Sequence, residues 1–281
     1  MTCTLDGIQF EVHGPGRRLM RRLVLEPLVN YLLPASLTRA MLRLTKSELA
    51  AANWADPGGW RSMVISYENN PRQLADRVLV GGGAVPTALR NRRRLAGRLL
   101  AGLIDQCPHQ PVQVLCVGAG PGLTILDAMR QARKPVLATM VDLKAEAHQY
   151  ARGLARQAGL EGSFRYVTGD ICALDLAGLP GGQPDVIKMI GICEYLDDAM
   201  ILNIARTFAK VARGGSAIVF NSLSANHGTD RFFRKVFGLH MIHRSPGQLQ
   251  ELLAAAGFGG FECYQEPLKV YHVCVGRKQD D

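Results

Sequence analysis

Seven cysteines, at positions 3, 107, 116, 172, 193, 263 and 274, form no Cys-x-x-Cys pair anywhere in the chain. No Cys/His group has the spacing of a metal-ligand set either, so no metal is expected. The odd, scattered count argues against a disulfide framework and for a reducing, cytoplasmic setting. Cys116, Cys193 and Cys274 sit in apolar runs, where a thiol acts as a small hydrophobe. The opening segment, MTCTLDGIQFEVHGPGRR, lacks the basic-then-apolar order of a secretory signal. No window reaches ~18 uninterrupted apolar residues, which excludes a membrane-spanning helix.

What is present is a globular composition: 47% hydrophobic and 20% charged residues, which fits neither disorder nor a fibrous fold. A length of 281 residues allows one large domain, or one domain with an appendage. Charge is unevenly placed. Residues 1–110 hold 15 basic and 8 acidic side chains, whereas residues 111–281 hold 18 and 16.

From residue 113 onward, strand-like and helix-like segments alternate. Gln113–Val117 is an apolar run ending in glycines, Leu123–Ala132 has helical spacing, and Val136–Val141 is apolar again up to Asp142. A helix over Ala145–Gly159, strands over Ser163–Thr168 and Asp185–Ile192, a helix over Asp197–Ala212 and a strand over Ser216–Ser222 continue the pattern. Such alternation predicts an α/β fold with a parallel sheet and helices on both faces. At the end, Ser245-Pro246 starts a helix that Gly257 closes. Two strands, Gly260–Gln265 and Val270–Gly276, then follow across only four residues. A linker that short holds no crossover helix, so the pair must be antiparallel. Residues 1–110 read as an irregular helical cap, with helices over Leu19–Leu33 and Leu37–Leu49 interrupted at Pro27 and Pro34, and a basic helix over Thr87–Leu103. The expected division is a cap over 1–110 and a ligand-binding domain over 111–281.

The segment Gly118-Ala119-Gly120-Pro121-Gly122 lies where a strand runs into a helix, placing bare backbone and unpaired helix N–H groups against a ligand. A dinucleotide fingerprint would carry its third glycine at the position of Leu123. Here the glycine comes one residue earlier. The segment resembles the first motif of class I S-adenosylmethionine-dependent methyltransferases, and the resemblance spans residues 113–278 in motif order. It implies S-adenosylmethionine as cofactor and a Rossmann-like sheet of order 3-2-1-4-5-7-6 with the last strand antiparallel. It also implies that Asp142, with Leu143 beside it, meets the ribose hydroxyls. Asp170 and Ile171 would meet the adenine, and Ile190 and Gly191 would border the reactive methyl. Tyr67 and Trp60 of the cap are candidates for closing over the cofactor, with core packing of the cap as the alternative.

After the fourth strand the chain reads Gly191-Ile-Cys-Glu194-Tyr195, without the Asn/Asp/Ser-Pro-Pro-aromatic sequence of family members that methylate planar amino groups. Glu194 and Tyr195 are the first candidates for orienting or deprotonating an acceptor; a helix-start acid and a packed aromatic are the alternative. His227, which with Asn221 and Ser222 follows the fifth strand on the carboxyl edge of the sheet, is a third candidate, since an imidazole titrates near neutrality; a solvated loop histidine is the alternative. The resemblance implies a small-molecule acceptor and no DNA. RNA is the weaker alternative, because Arg90, Arg92, Arg93 and Arg94 spread around their helix with no interleaved aromatics. Arg17-Arg18-Leu-Met-Arg21-Arg22-Leu-Val-Leu joins basic and apolar residues, which suits an anionic membrane surface, an amphipathic acceptor, cap packing or a homodimer interface.

Overall fold

The computed structural model describes residues 7–279; Cys3 and the first six residues of the opening segment lie outside the described residues. In chain order the elements are α1 (Pro15–Met20), α2 (Ala35–Leu44), α3 (Glu48–Ala55), α4 (Trp60–Glu68), α5 (Leu74–Gly82), α6 (Ala84–Gln106), β1 (Val112–Val117), α7 (Leu123–Gln131), β2 (Val136–Asp142), α8 (Ala145–Gln157), β3 (Phe164–Thr168), β4 (Val186–Met189), α9 (Asp198–Val211), β5 (Ala217–Leu223), α10 (Asp230–Phe237), α11 (Pro246–Ala254), β6 (Phe258–Gln265) and β7 (Tyr271–Lys278). The seven strands form one sheet of order β3-β2-β1-β4-β5-β7-β6. β7 is antiparallel to both β5 and β6, while the other neighbours are parallel.

The central strands are buried on both faces, so they read as nearly continuous apolar runs. One face packs Val114, Cys116 and Val219 under Leu95, Leu99 and Ile104 of α6 and Ile125 of α7. The other packs Leu115, Ile187 and Phe220 under Ile204 and Phe208 of α9 and Leu249 and Leu253 of α11. A third cluster joins Leu42, Val85 and Leu89 to Phe232, Val236 and Phe237 of α10 and to Tyr271 of β7. The helices before β1 therefore share core with both the sheet and α10.

The cap departs from its sequence reading in two places. Two π-helical turns, Arg21–Leu25 and Leu28–Leu32, carry the helical path past Pro27. The run Leu37–Leu49 splits: Lys46 takes φ 51°, and the Ser47 hydroxyl turns to cap α3 by accepting from the Ala50 N–H. At the other end, Cys274 is not a lone thiol. It stands opposite Cys263 across β6 and β7 with Cα atoms 4.1 Å apart, and the two form a disulfide. The sequence spacing hid this pair because strand register, not sequence separation, brings the two residues together.

The longest helix, α6, buries Arg90 in an ion pair whose carboxylate the exposed Arg94 shares. Arg90 meets the Glu11 carboxylate through Nε at 2.8 Å and Nη2 at 2.6 Å, and Arg94 reaches the same carboxylate at 2.9 Å. Burial raises the Glu11 pKa, but the Arg90 and Arg94 cations outweigh it and leave it below its ordinary 4.5. A depressed carboxylate pKa stabilises the fold above the unfolded-state pKa, and that contribution disappears as pH falls through the folded value. Glu11→Gln should therefore lose about 1–2 kcal/mol of stability at pH 7, with the deficit shrinking in acid. Urea unfolding at pH 7 and pH 4 measures both; an equal deficit at the two values contradicts the assignment.

Candidate functional site

At the carboxyl ends of β1, β2 and β4 lies a cavity of ≈ 420 Å³, roofed by Gly59, Trp60, Met63 and Tyr67 of the cap. Three glycines with φ of 54°, 54° and 72° form its floor and its support: Gly118, Gly120 and Gly122. Each is required for a different reason. A Cβ on Gly118 would stand 2.0 Å from Ile192 Cγ2, and one on Gly122 would stand 2.8 Å from Met140 Cε. A Cβ on Gly120 would meet no protein atom within 4 Å, so the bare backbone there borders open cavity. Gly122 lies off the cavity wall and lets α7 pack closely on the sheet.

The Asp142 carboxylate closes this loop, accepting from the Gly120 N–H at 2.7 Å and the Lys144 N–H at 3.0 Å. Asp170 accepts from the Cys172 N–H at 2.9 Å. Both carboxylates line the cavity, together with Ala119, Leu143, Ile171, Ile190, Gly191 and Tyr67. The structure thus brings every residue named from the glycine-rich resemblance to one wall, apart from Gly122. Across the opening, Lys144 Nζ lies 3.7 Å from the Asp56 carboxylate, and the Trp60 ring packs 5.5 Å from Tyr150.

Two basic side chains that the sequence did not single out for the site face the same cavity. Arg92, on α6, is 2% exposed; its guanidinium lies 3.3 Å from Glu194, donates to the Tyr67 hydroxyl at 3.2 Å and sits 4.5 Å over the Tyr271 ring. Burial opposes its charge, but Tyr67, Tyr271 and Glu194 more than restore it, so the guanidinium stays charged. Lys188, on β4 in register with Cys116 of β1, is 4% exposed and makes no ion pair among the described residues. Burial lowers its pKa. A signal existed in the sequence: Lys188 is the single charge inside the apolar run of a doubly covered strand.

The three acceptor-side candidates separate. Tyr195 borders the cavity, with its hydroxyl tucked where Gly58 lacks a Cβ; such a Cβ would lie 2.4 Å away. Burial and the nearby Glu194 raise the Tyr195 pKa, which keeps the phenol protonated. Glu194 is one layer back, off the cavity wall, held between Arg92 and Asn221 Nδ2 at 3.5 Å. Asn221 also accepts the Gly191 N–H at 2.7 Å, fixing the end of β4. His227 does not reach the cavity. It is fully buried, with Nε2 3.0 Å from His243 Nε2, and burial plus that neighbouring imidazole lower its pKa to about 4. A base titrating near neutrality is therefore not found there, because the turn Ala225–His227 sets the imidazole against His243 and off the cavity wall.

Residues 114–215 match the family model of a methyltransferase domain. A comparison with curated proteins finds no match. Among solved structures, a candidate exported protein of Bordetella parapertussis is similar at TM-score 0.62 and 16% identity over 88% of this chain and 98% of that one. A candidate O-methyltransferase of Nostoc punctiforme PCC 73102 is similar at TM-score 0.57 and 14% identity, over 84% and 72%. Magnesium protoporphyrin IX methyltransferase of Synechocystis PCC 6803, solved with bound S-adenosylhomocysteine, gives TM-score 0.55 and 13% identity, over 69% and 87%. Glycine loop, strand order and reversed β7 agree with that match: residues 114–215 resemble a methyltransferase domain, and the sheet around them has the fold of the methyltransferases it is similar to.

Proposed function

We propose that the protein methylates a small, amphipathic acceptor through an oxygen that Arg92 and Lys188 hold in its anionic form. The pair of buried cations on one cavity wall carries this reading. S-adenosylmethionine fits the opposite part of the cavity: the bare backbone of Gly118–Gly120 admits close approach, Asp142 and Asp170 offer acceptors for hydroxyl and amino groups, and Leu143 and Ile171 offer apolar surface. When bound, it supplies an electrophilic methyl on an already activated leaving group.

The remaining work belongs to the chain. Methyl transfer is an in-line displacement, so holding the nucleophile about 3 Å from the methyl supplies much of the rate. A hydroxyl set against Arg92 and Lys188 gives up its proton to solvent more readily, since fixed positive charge stabilises the oxyanion. Glu194 then serves as a positioning residue that holds Arg92, and Tyr195 shapes the acceptor side. A flat roof of Trp60, Met63 and Tyr67 suits an apolar body behind the oxygen. The same geometry disfavours RNA, because Arg90, Arg92, Arg93 and Arg94 are all engaged by Glu11, Glu194 or Asp127.

A second feature favours acceptors drawn from a lipid surface. No helix of the described residues is long and apolar enough to cross a membrane. However, Leu19, Met20, Leu23 and Val24 are 54–64% exposed, beside the exposed Arg17, Arg18 and Arg22. An apolar strip rimmed by cations matches the boundary of an anionic bilayer.

Three outcomes are expected. Asp142→Ala should weaken S-adenosylmethionine binding by roughly 10–100-fold in calorimetry, as hydrogen bonds to a charged group are worth about 1.5–3 kcal/mol; unchanged affinity, or tight NAD binding in its place, sinks the cofactor assignment. Lys188→Met should lower kcat for hydroxyl acceptors by ~10²-fold while sparing cofactor affinity. Removing the cation raises the acceptor's pKa in the site, so the residual rate should climb toward alkaline pH, and a flat loss at all pH values refutes the electrostatic role. Co-sedimentation should show binding to vesicles containing phosphatidylserine but not to phosphatidylcholine alone, with about 1 kcal/mol lost on Arg22→Gln; equal binding to both vesicle types rejects the surface.

A further inference from the structure

Outside the cavity, three side chains from separate stretches converge on one point. His227 ends a short 3-10 turn after β5, Asp230 opens α10, and His243 lies on the irregular segment before α11. His227 Nε2 and His243 Nε2 face each other at 3.0 Å, Asp230 Oδ1 is 3.8 Å from His243 Nε2, and one ligand atom from each residue lies within 4.8 Å of the other two. His227 is fully buried, and the side chains of His243 and Asp230 are 18% and 30% exposed.

From this geometry we infer a divalent transition-metal site of two imidazoles and one carboxylate, for which zinc is the natural ion. Asp230 Oδ1 carries the independent observation: it is buried, aimed at the imidazole pair, and has no hydrogen-bond partner among the described residues, while Oδ2 takes Arg234 at 2.7 Å. A buried carboxylate oxygen without a donor is a costly arrangement that a cation relieves. Two imidazole nitrogens and one oxygen at these separations enclose a point that small side-chain rotations bring to the ~2.0–2.2 Å of zinc–nitrogen and zinc–oxygen bonds. The outer contact would rearrange. His227 Nδ1 accepts the Thr229 N–H at 3.2 Å and lies 2.9 Å from Thr229 Oγ1, so binding a metal at Nε2 would move the ring proton to Nδ1, where the Thr229 hydroxyl accepts it in place of the backbone bond. With three protein ligands, a fourth position stays open to water. Residues 227, 230 and 243 have none of the spacing by which zinc motifs are recognised, so the sequence alone does not point to this set, which the fold assembles.

The site would join the β5–α10 connection to the segment 239–245. That segment also supports the cavity, because the Ile242 N–H donates to the Glu194 carbonyl and Arg244 Nη1 donates to the Cys193 carbonyl. A metal here is therefore a structural pin behind the acceptor wall, and it stands apart from the methyl-transfer reading.

The test uses the full chain without a histidine tag, stripped with a chelator and titrated with Zn²⁺ by calorimetry and with Co²⁺ by visible absorption. One equivalent should bind, with cobalt bands of a nitrogen- and oxygen-ligated site, and the melting temperature should rise. His243→Gln and Asp230→Asn should abolish or greatly weaken binding while S-adenosylmethionine affinity is retained, and Thr229→Val should weaken it about 10-fold through the lost second contact. Absence of a stoichiometric Zn²⁺ isotherm overturns the site and leaves a plain imidazole–imidazole hydrogen bond. Undiminished binding in both His243→Gln and Asp230→Asn overturns it too.

Discussion

Arg92 is the residue on which the relation between cap and sheet depends. Its guanidinium is out of water, and what compensates it comes from three other parts of the chain: Tyr67 of α4, Glu194 of the loop after β4, and Tyr271 of β7. Removing one partner from a buried ion pair leaves an uncompensated charge, at about 3–5 kcal/mol. A cap seated differently on the sheet would incur that loss at once. Gly191 makes the arrangement possible, because a Cβ at that position would stand 3.3 Å from Arg92 Nη2, at a φ of 87° that disfavours any side chain. The end of β4 is thus shaped from one side by Arg92 and from the other by Asn221, which holds the Gly191 N–H.

What could be read from the sequence follows from the range of the interactions involved. The sheet was legible because its signals are local and repeated: apolar runs, glycines at their ends, and a four-residue link that forbids a crossover. Strand order came from motif order and from that link. Cap helices were harder, since Pro27 reads as a break but lies between two π-helical turns, and Ser47 reads as part of a helix but caps the next one. Lys188 was overlooked although it was visible as the lone charge in its strand. Glu194 was rightly placed near the site by sequence, but its side chain reaches Arg92 and not the cavity, and side-chain direction is set by partners 102 residues away. His227 and Cys274 failed for the same reason: their partners, His243 and Cys263, are chosen by tertiary register.

The charge imbalance of the first 110 residues takes on a divided meaning. On α6, Arg90, Arg92, Arg93 and Arg94 are fasteners, each matched to a carboxylate, so they present little free positive potential. Around α1 the arginines remain at the surface, next to apolar side chains that the core does not use. Surplus charge that looked like one property of the cap is two: a structural set that builds the roof of the cavity, and a surface set that can meet a partner.

Charge balance inside the cavity ties these parts to the proposed reaction. With a sulfonium in place, that positive centre shares the cavity with Arg92 and Lys188, of which only Arg92 has a carboxylate partner, Glu194. Asp142 and Asp170 also line the cavity, occupied by backbone N–H groups. A neutral acceptor would leave Lys188 buried beside a positive centre, which is the arrangement a low-dielectric site penalises most. An acceptor that arrives as, or becomes, an oxyanion removes the penalty. Transfer of the methyl then cancels the acceptor's negative charge and the sulfonium's positive charge together, so both products are held less tightly by the groups that aligned the reactants. Binding and release are in this way governed by the same two side chains, which requires only that they be fixed, and the contacts of Arg92 across the cap and the position of Lys188 in the middle of β4 keep them so.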